Sequence, residues 1–476
     1  MAGDPRRYLS RRKFIARLAH AATAAAMTMH AASGAPGAVS PGINVVGRRL
    51  ARERLEGALA RIADPNGEGA RACLTVYTDA ARAAADAADA RQRAGISLGP
   101  LDGAIITIKD LFDVAGEPTR AGSKILADAV RATDDATVVR RLRAAGAVIV
   151  AKTNMAELAF WTLGFNRHYG TPGNPANRLR DPGGSSSGAA VAVADGMCEI
   201  AIGSDTGGST RIPAAFCGVV GFKPSKFRVP TAGALPLSYT LDSIGPLAKT
   251  VAECAASDAV IAGEAPWLLE PVSLQSLRLG IPQGLVLTDL DATVSMRFSE
   301  ATTLLSQAGV KFSDEVFSSL DVAGRLIGGI VPSESYSVHR ERLAAQPDEF
   351  DPYVRRPMET GRDVSAADYI ATIRERAALV RAVDGRLLDL DALVLPTVPI
   401  VAPTIAELSG SFEAFLAKSL PAGRNTAIAN ICDLCAISIP CRRGGGLPVG
   451  LMLVARNGED RKLFRIAAAV ERVINA

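Results

Sequence analysis

Two stretches of this chain, residues 103–108 and 147–151, are short and almost unbroken apolar runs: Gly-Ala-Ile-Ile-Thr-Ile and Ala-Val-Ile-Val-Ala. A strand with one wet face alternates apolar and polar residues. A run without alternation reads as a strand buried on both faces. Residues 198–203 read the same way, and later strands are expected near 392–395, 436–440 and 449–454. Helical patterns lie between them. Apolar residues recur at helical spacing over 45–62, an Ala-rich polar helix is expected over 78–93, another helix over 135–145, and a last one over 459–474. Strands that need cover on both faces, interleaved with helices from end to end, specify an α/β fold with a largely internal sheet.

The composition supplies the core such a sheet needs. Of the 476 residues, 48% are hydrophobic and 21% charged, the reverse of a disordered chain. The sequence shows neither an internal repeat nor a linker after residue 45, so residues 41–476 are read as one domain. Residues 265–390 are more polar and less patterned. The substrate-shaping part of the chain is expected within about 265–430.

The first forty residues read as an address. Arg6, Arg7, Arg11, Arg12, Lys13 and Arg17 precede or enter an Ala-rich stretch that runs to about residue 33. A charged region, an apolar region and small residues near 31–35 describe an export signal, and Arg11-Arg12 followed by Phe14-Ile15 is similar to a twin-arginine signal. An organellar transit peptide and an uncleaved tail are the alternatives. Arg17 and His20 interrupt the apolar run, which argues against a membrane anchor. The expected location is periplasmic or secreted. The net charge of +4 owes much to this segment, and the near-neutral remainder asks for no nucleic-acid partner.

Seven cysteines are an odd number. Most sit among apolar residues and read as small hydrophobes. Cys432 and Cys435 form one CxxC without a second pair, which is insufficient for a zinc site. In an exported protein a disulfide among Cys432, Cys435 and Cys441 stays open.

The chemistry concentrates in two Gly/Ser-rich segments, residues 181–188 and 203–213, separated by a helical run at 189–194 and the strand at 198–203. A chain that makes a helix and a strand between them can return the second serine loop to the first. Pro213 suits the first turn of a helix. The backbone of Thr206, Gly207, Gly208 and Ser209 then lies just before a helix N-terminus, where N–H groups are unpaired and able to hold an oxyanion. A serine nucleophile needs a base. Beyond residue 40 only His168 and His339 are available, both in polar stretches. Lys109 ends a buried strand and serves as a base if burial makes it neutral. An ion pair with Asp110 or Asp113 is the equal alternative on the residues alone. Residues 184–188 also match G-x-S-x-G, but no strand precedes them and only His339 follows, so a nucleophile elbow is set aside.

These residues resemble the amidase signature family. The resemblance rests on Ile108-Lys109-Asp110, Lys152-Thr153-Asn154-Met155-Ala156-Glu157-Leu158, Tyr169-Gly170-Thr171-Pro172, the segment 182–188, and above all the segment 203–215. It continues through Gly221-Phe222-Lys223-Pro224, Leu241-Asp242-Ser243-Ile244-Gly245-Pro246 and Gly446-Leu447-Pro448-Val449-Gly450-Leu451. It covers roughly 45–476 and is densest over 101–250. Ser187 departs from the glycine often found there. The resemblance implies a large mixed central sheet covered by helices on both faces. It also implies a triad of Ser209 as nucleophile, Ser185 as proton bridge across a cis Gly184–Ser185 peptide, and Lys109 as base. Thr206, Gly207 and Gly208 would bind the oxyanion, with Asp205 and Arg211 supporting the loop. The implied reaction is hydrolysis of a small-molecule carboxylic amide to the acid and ammonia or an amine, with no metal or organic cofactor. A glutaminase subunit of a tRNA-dependent amidotransferase and a catalytically silent binding protein are the competing readings. The sequence leaves the natural amide and the oligomeric state, a homodimer included, undetermined.

Overall fold

The strands expected as buried runs lie side by side at the centre of a computed structural model that describes residues 49–476 apart from 318, 319, 321, 442–444 and 476. The export segment expected at 1–40 lies outside the described residues. In chain order the strands are β1 (Cys73–Val76), β2 (Ile105–Lys109), β3 (Val148–Thr153), β4 (Ile200–Asp205), β5 (Val220–Lys223) and β6 (Ser243–Ala248). They continue with β7 (Arg278–Gln283), β8 (Lys311–Val316), β9 (Ala392–Pro396), β10 (Cys435–Pro440) and β11 (Gly450–Ala455). All eleven join one mixed sheet in the order β1-β3-β2-β4-β6-β5-β10-β11-β9-β7-β8. The β2–β3, β2–β4, β7–β8 and β7–β9 pairs are parallel, and the others are antiparallel. Residues Gly42–Ala476 cluster as one compact unit.

The unbroken apolar runs follow from cover on both faces. Ile106 and Ile108 of β2, Ile149 of β3, and Ile200 and Ile202 of β4 enter one core, shared with the helices Thr137–Ala144, Val251–Ala262 and Asp460–Ile474. Their alternates Ile105, Val148, Val150 and Ala201 enter a second core beneath the helices Ala51–Ala63, Thr78–Arg93 and Ser187–Ala194. Successive side chains point to opposite faces, so a strand feeding two cores is mostly apolar, and its few polar residues, Thr107, Lys109, Lys152 and Thr153, are buried with it.

The polar stretch holds more order than its pattern suggests. It contains β7 and β8 and the long helices Ala323–Ala345 and Ala366–Arg386. β8 is one of the two edge strands, opposite β1, and mostly exposed. One of its faces carries no core, so its residues need not be apolar. No helix of the described residues is long and apolar enough to cross a membrane.

Candidate active site

Parallel neighbours end at the same edge of a sheet, and in open α/β sheets that carboxyl edge is where sites form. β2 ends on Lys109 and β4 ends on Ser204 and Asp205. The helix Ser187–Ala194 packs back across β2 and β4, and its N-terminus delivers the first Gly/Ser segment to this edge. The two segments then touch. Ser186 donates its N–H to the Ser209 carbonyl at 3.3 Å and its hydroxyl to the Ser204 carbonyl at 3.2 Å. Gly203 permits this approach, since a Cβ there would stand 2.7 Å from Ser186 Oγ.

Lys109 is fully buried, and its Nζ lies 2.7 Å from Ser185 Oγ and 2.9 Å from Ser204 Oγ. Asp110, the ion-pair alternative, instead accepts the Gly122 N–H through its carboxylate. Asp113 accepts from the Thr119 hydroxyl. The lysine therefore faces two neutral hydroxyls. Burial pulls it down to about 7 from 10.5, against the opposing charges of Asp205 and Asp242. The Gly184–Ser185 peptide is cis.

Ser209 stands at the mouth of this arrangement, 5% exposed, and its Oγ has no hydrogen-bond partner among the described residues. The N–H groups of Thr206, Gly207 and Ser209 likewise have no acceptor among the described residues. Gly208 differs from the expectation. Its N–H is donated inward to Asp205 Oδ1 at 2.8 Å, which removes it from the set of oxyanion donors. Gly208 instead shapes the loop. Its φ is +132°, and a Cβ would lie 2.2 Å from Thr426 Oγ1.

Asp205 and Arg211 hold that loop from beneath, both fully buried. The Arg211 fork meets both carboxylate oxygens, Nη2 to Oδ1 at 2.9 Å and Nε to Oδ2 at 3.1 Å. The same carboxylate accepts the Thr210 N–H, the Thr210 hydroxyl and Asn430 Nδ2. Burial alone would raise this carboxyl, but the Arg211 charge and these hydrogen bonds hold it well below the usual carboxylate range. Arg211 is in turn satisfied by the Thr426 carbonyl and Asn430 Oδ1. Thr426 donates its hydroxyl to the Gly207 carbonyl at 2.6 Å. Neither Thr426 nor Asn430 carries a sequence signal, because they reach the loop from a helix more than two hundred residues downstream. Ser204 and Asp242 were legible only as parts of longer motifs. Asp242 accepts the Thr206 hydroxyl at 2.5 Å, and burial pushes its carboxyl up to about 6.

Neither His168 nor His339 hydrogen-bonds to Ser185, Ser209 or Lys109. His168 pairs with Glu157 at 2.8 Å. His339 is buried against Phe350, and burial lowers it to about 4. All seven cysteines are free thiols, Cys432, Cys435 and Cys441 among them.

A cavity of about 640 Å³ opens in front of Ser209, Gly207 and Thr206. Phe160 and Trp161 form one wall, braced by Trp161 edge contacts with Phe412 and Phe415 and by its Nε1–H on the Tyr353 carbonyl. The helix Ala323–Ala345 forms another with Gly324, Ile327, Gly328 and Val331 on one face. Residues 419–428 close a third side. A serine with an open hydroxyl, a neutralisable buried lysine bonded to a second serine, and free backbone donors beside an apolar cavity are parts from which an acyl-transfer site can be built.

Residues 53–464 match the family model described as Amidase. A 2-amino-5-chloromuconic acid deaminase from Comamonas testosteroni is 37% identical over 410 residues, covering 83% of this chain and 86% of that protein. A component of the glutamyl-tRNA(Gln) amidotransferase from Anaeromyxobacter dehalogenans is 36% identical over 467 residues, covering 88% of this chain and 92% of that protein. A crystal structure of an amidase, 35% identical, superposes with a TM-score of 0.81 over 90% of this chain and 96% of that one.

Proposed function

The chain belongs to the amidase family and is a hydrolase of carboxylic C–N amide bonds, and from that premise we propose that Ser209, Ser185 and Lys109 carry the reaction. The observation that carries this reading is the 2.7 Å contact between a buried lysine and Ser185 Oγ, with Ser209 open to the cavity beside it. Neutral Lys109 takes a proton from Ser185 Oγ, which takes one from Ser209 Oγ. Ser209 Oγ attacks the amide carbon, and the N–H groups of Thr206, Gly207 and Ser209 stabilise the oxyanion. The proton returns through Ser185 to the amide nitrogen as the C–N bond breaks, releasing ammonia or an amine. Water then adds to the acyl-Ser209 ester by the same relay, yielding the carboxylic acid and restoring the serine. Asp205 and Arg211 hold the donor loop in place.

The hydrolase reading is favoured over a glutaminase role in a larger complex by the cavity itself. Glutamine is a zwitterion whose ammonium and carboxylate need charges of both signs, yet no Asp or Glu lines the cavity among the described residues. A silent binding protein would not need the three reacting groups together. By proposal, residues 1–40 direct export. Replacing Arg11 and Arg12 with lysine should then leave a reporter fusion in the cytoplasm.

The test is release of ammonia or amine from a panel of amides by the wild type beside Ser209→Ala and Lys109→Ala, with a fluorophosphonate probe as active-site label. Turnover and Ser209 labelling in the wild type, both lost in Ser209→Ala, support the assignment. Labelling or turnover that survives Ser209→Ala refutes it.

A further inference from the structure

The walls of the cavity are apolar or neutral with one exception. Arg424, at the end of the helix Phe412–Arg424, is the single charged residue lining it among the described residues. Its side chain is held by neutral oxygens only. Nη2 donates to the Thr288 carbonyl at 2.6 Å and Nε reaches Asn425 Oδ1 at 3.4 Å. No carboxylate of the described residues lies within ion-pairing distance of it, although Asp289 acts on it from further away. Partial burial works against its charge and lowers its affinity for the proton.

A guanidinium left unpaired where water is being displaced costs free energy that an anion can return. Its planar fork suits a carboxylate. Arg424 lines the same cavity as Thr206, Gly207 and Ser209. Thr426, bonded to the Gly207 carbonyl, lies two positions along from Arg424. Arg424 and the Gly207–Ser209 loop line one cavity, together with the apolar Leu285, Ile327 and Leu420, so a single ligand can meet both the guanidinium and the donor loop.

We infer that the substrate is the monoamide of an apolar dicarboxylic acid, its second, free carboxylate bound by Arg424 while Ser209 attacks the amide. This rests on the amidase mechanism proposed above and adds the substrate class to it. Hydrolysis then consumes water and releases ammonia and a dicarboxylate.

The experiment compares aliphatic and aromatic monoamides of dicarboxylic acids, each beside the neutral amide in which a methyl group replaces the free carboxylate. The measured quantity is the ratio of kcat/KM for the acid to that for its neutral partner, in the wild type, Arg424→Gln and Arg424→Lys. A charge-assisted contact predicts a wild-type ratio of about tenfold or more, expressed mainly in KM. Arg424→Gln should bring the ratio towards one, and Arg424→Lys should keep part of it. A ratio that is the same in the wild type and Arg424→Gln overturns the inference while leaving the amidase reading standing. So does a wild type that prefers the neutral amides. If the wild type hydrolyses neither set and Ser209 is not labelled by the fluorophosphonate, both readings fall. Circular dichroism and labelling of Ser209 in each variant distinguish a folding defect from a lost contact, with Arg424→Lys as the variant least disturbing to the helix.

Discussion

A titration of activity against pH tests the centre of the mechanism. Lys109 can accept a proton only when neutral. With its value brought down to about 7 by burial, about half the enzyme carries a competent base at pH 7, and nearly all of it does at pH 9. At an ordinary value of 10.5, only about one molecule in three thousand would be competent at pH 7. The profile of kcat/KM should therefore climb about tenfold per pH unit on the acid side, bend near 7, and stay level above it. The same shift acts on stability with the same sign. Between about 7 and 10.5 the unfolded lysine keeps a proton that the folded one has lost. The unfolded chain then binds more protons, and unfolding free energy rises with pH through that window. The assay is kcat/KM for one turned-over amide from pH 5 to 10, with a denaturant melt at each pH. A rate that keeps rising past pH 9 would mean that Lys109 is charged at neutral pH and would refute the lowering by burial. A bend near 7 that persists in Lys109→Ala would assign the titration to another group.

Three further outcomes follow from specific contacts. Arg211→Met leaves the Asp205 carboxylate buried without its fork partner, so it should cost about 3–5 kcal/mol in denaturant unfolding. Pairing it with Asp205→Asn should recover part of that loss, and simple additivity of the two would contradict a coupled pair. Gly208→Ala places a Cβ 2.2 Å from Thr426 Oγ1 at a φ of +132°. It should lower stability by roughly 1–3 kcal/mol and depress kcat more than it alters KM. Gly328 faces open space, with nothing within 4 Å of an added Cβ. Gly328→Ala should stabilise the helix by about 0.5–1 kcal/mol, while Gly328→Leu should raise KM for bulky amides more than for small ones. A thermal melt and a substrate-size series check the two.

Much of the architecture was already written in local pattern. Residues that feed two cores at once leave an unbroken apolar signature, so β2, β3 and β4 and the helices beside them could be placed from the chain alone. The Gly/Ser segments of the proposed site were also visible in the sequence. The glycines at 184, 207 and 208 mark two loops in the sequence, while the roles of Ser185, Ser209 and Lys109 were implied only by the resemblance of those segments to the amidase signature family. Three things had no local signal. The state of Lys109 depends on what surrounds it, and only folding could decide between an ion pair with Asp110 and two hydroxyls from Ser185 and Ser204. The fate of the Gly208 N–H was decided by Asp205, which turns inward to Arg211. Thr426, Asn430 and Arg424 come from the far end of the chain. Period and turn chemistry are properties of neighbours in sequence and can be read from it. Burial, charge environment and the walls of a cavity are sums over neighbours in space, and for this protein those are assembled only when the sheet brings β2 and β4 to a common edge.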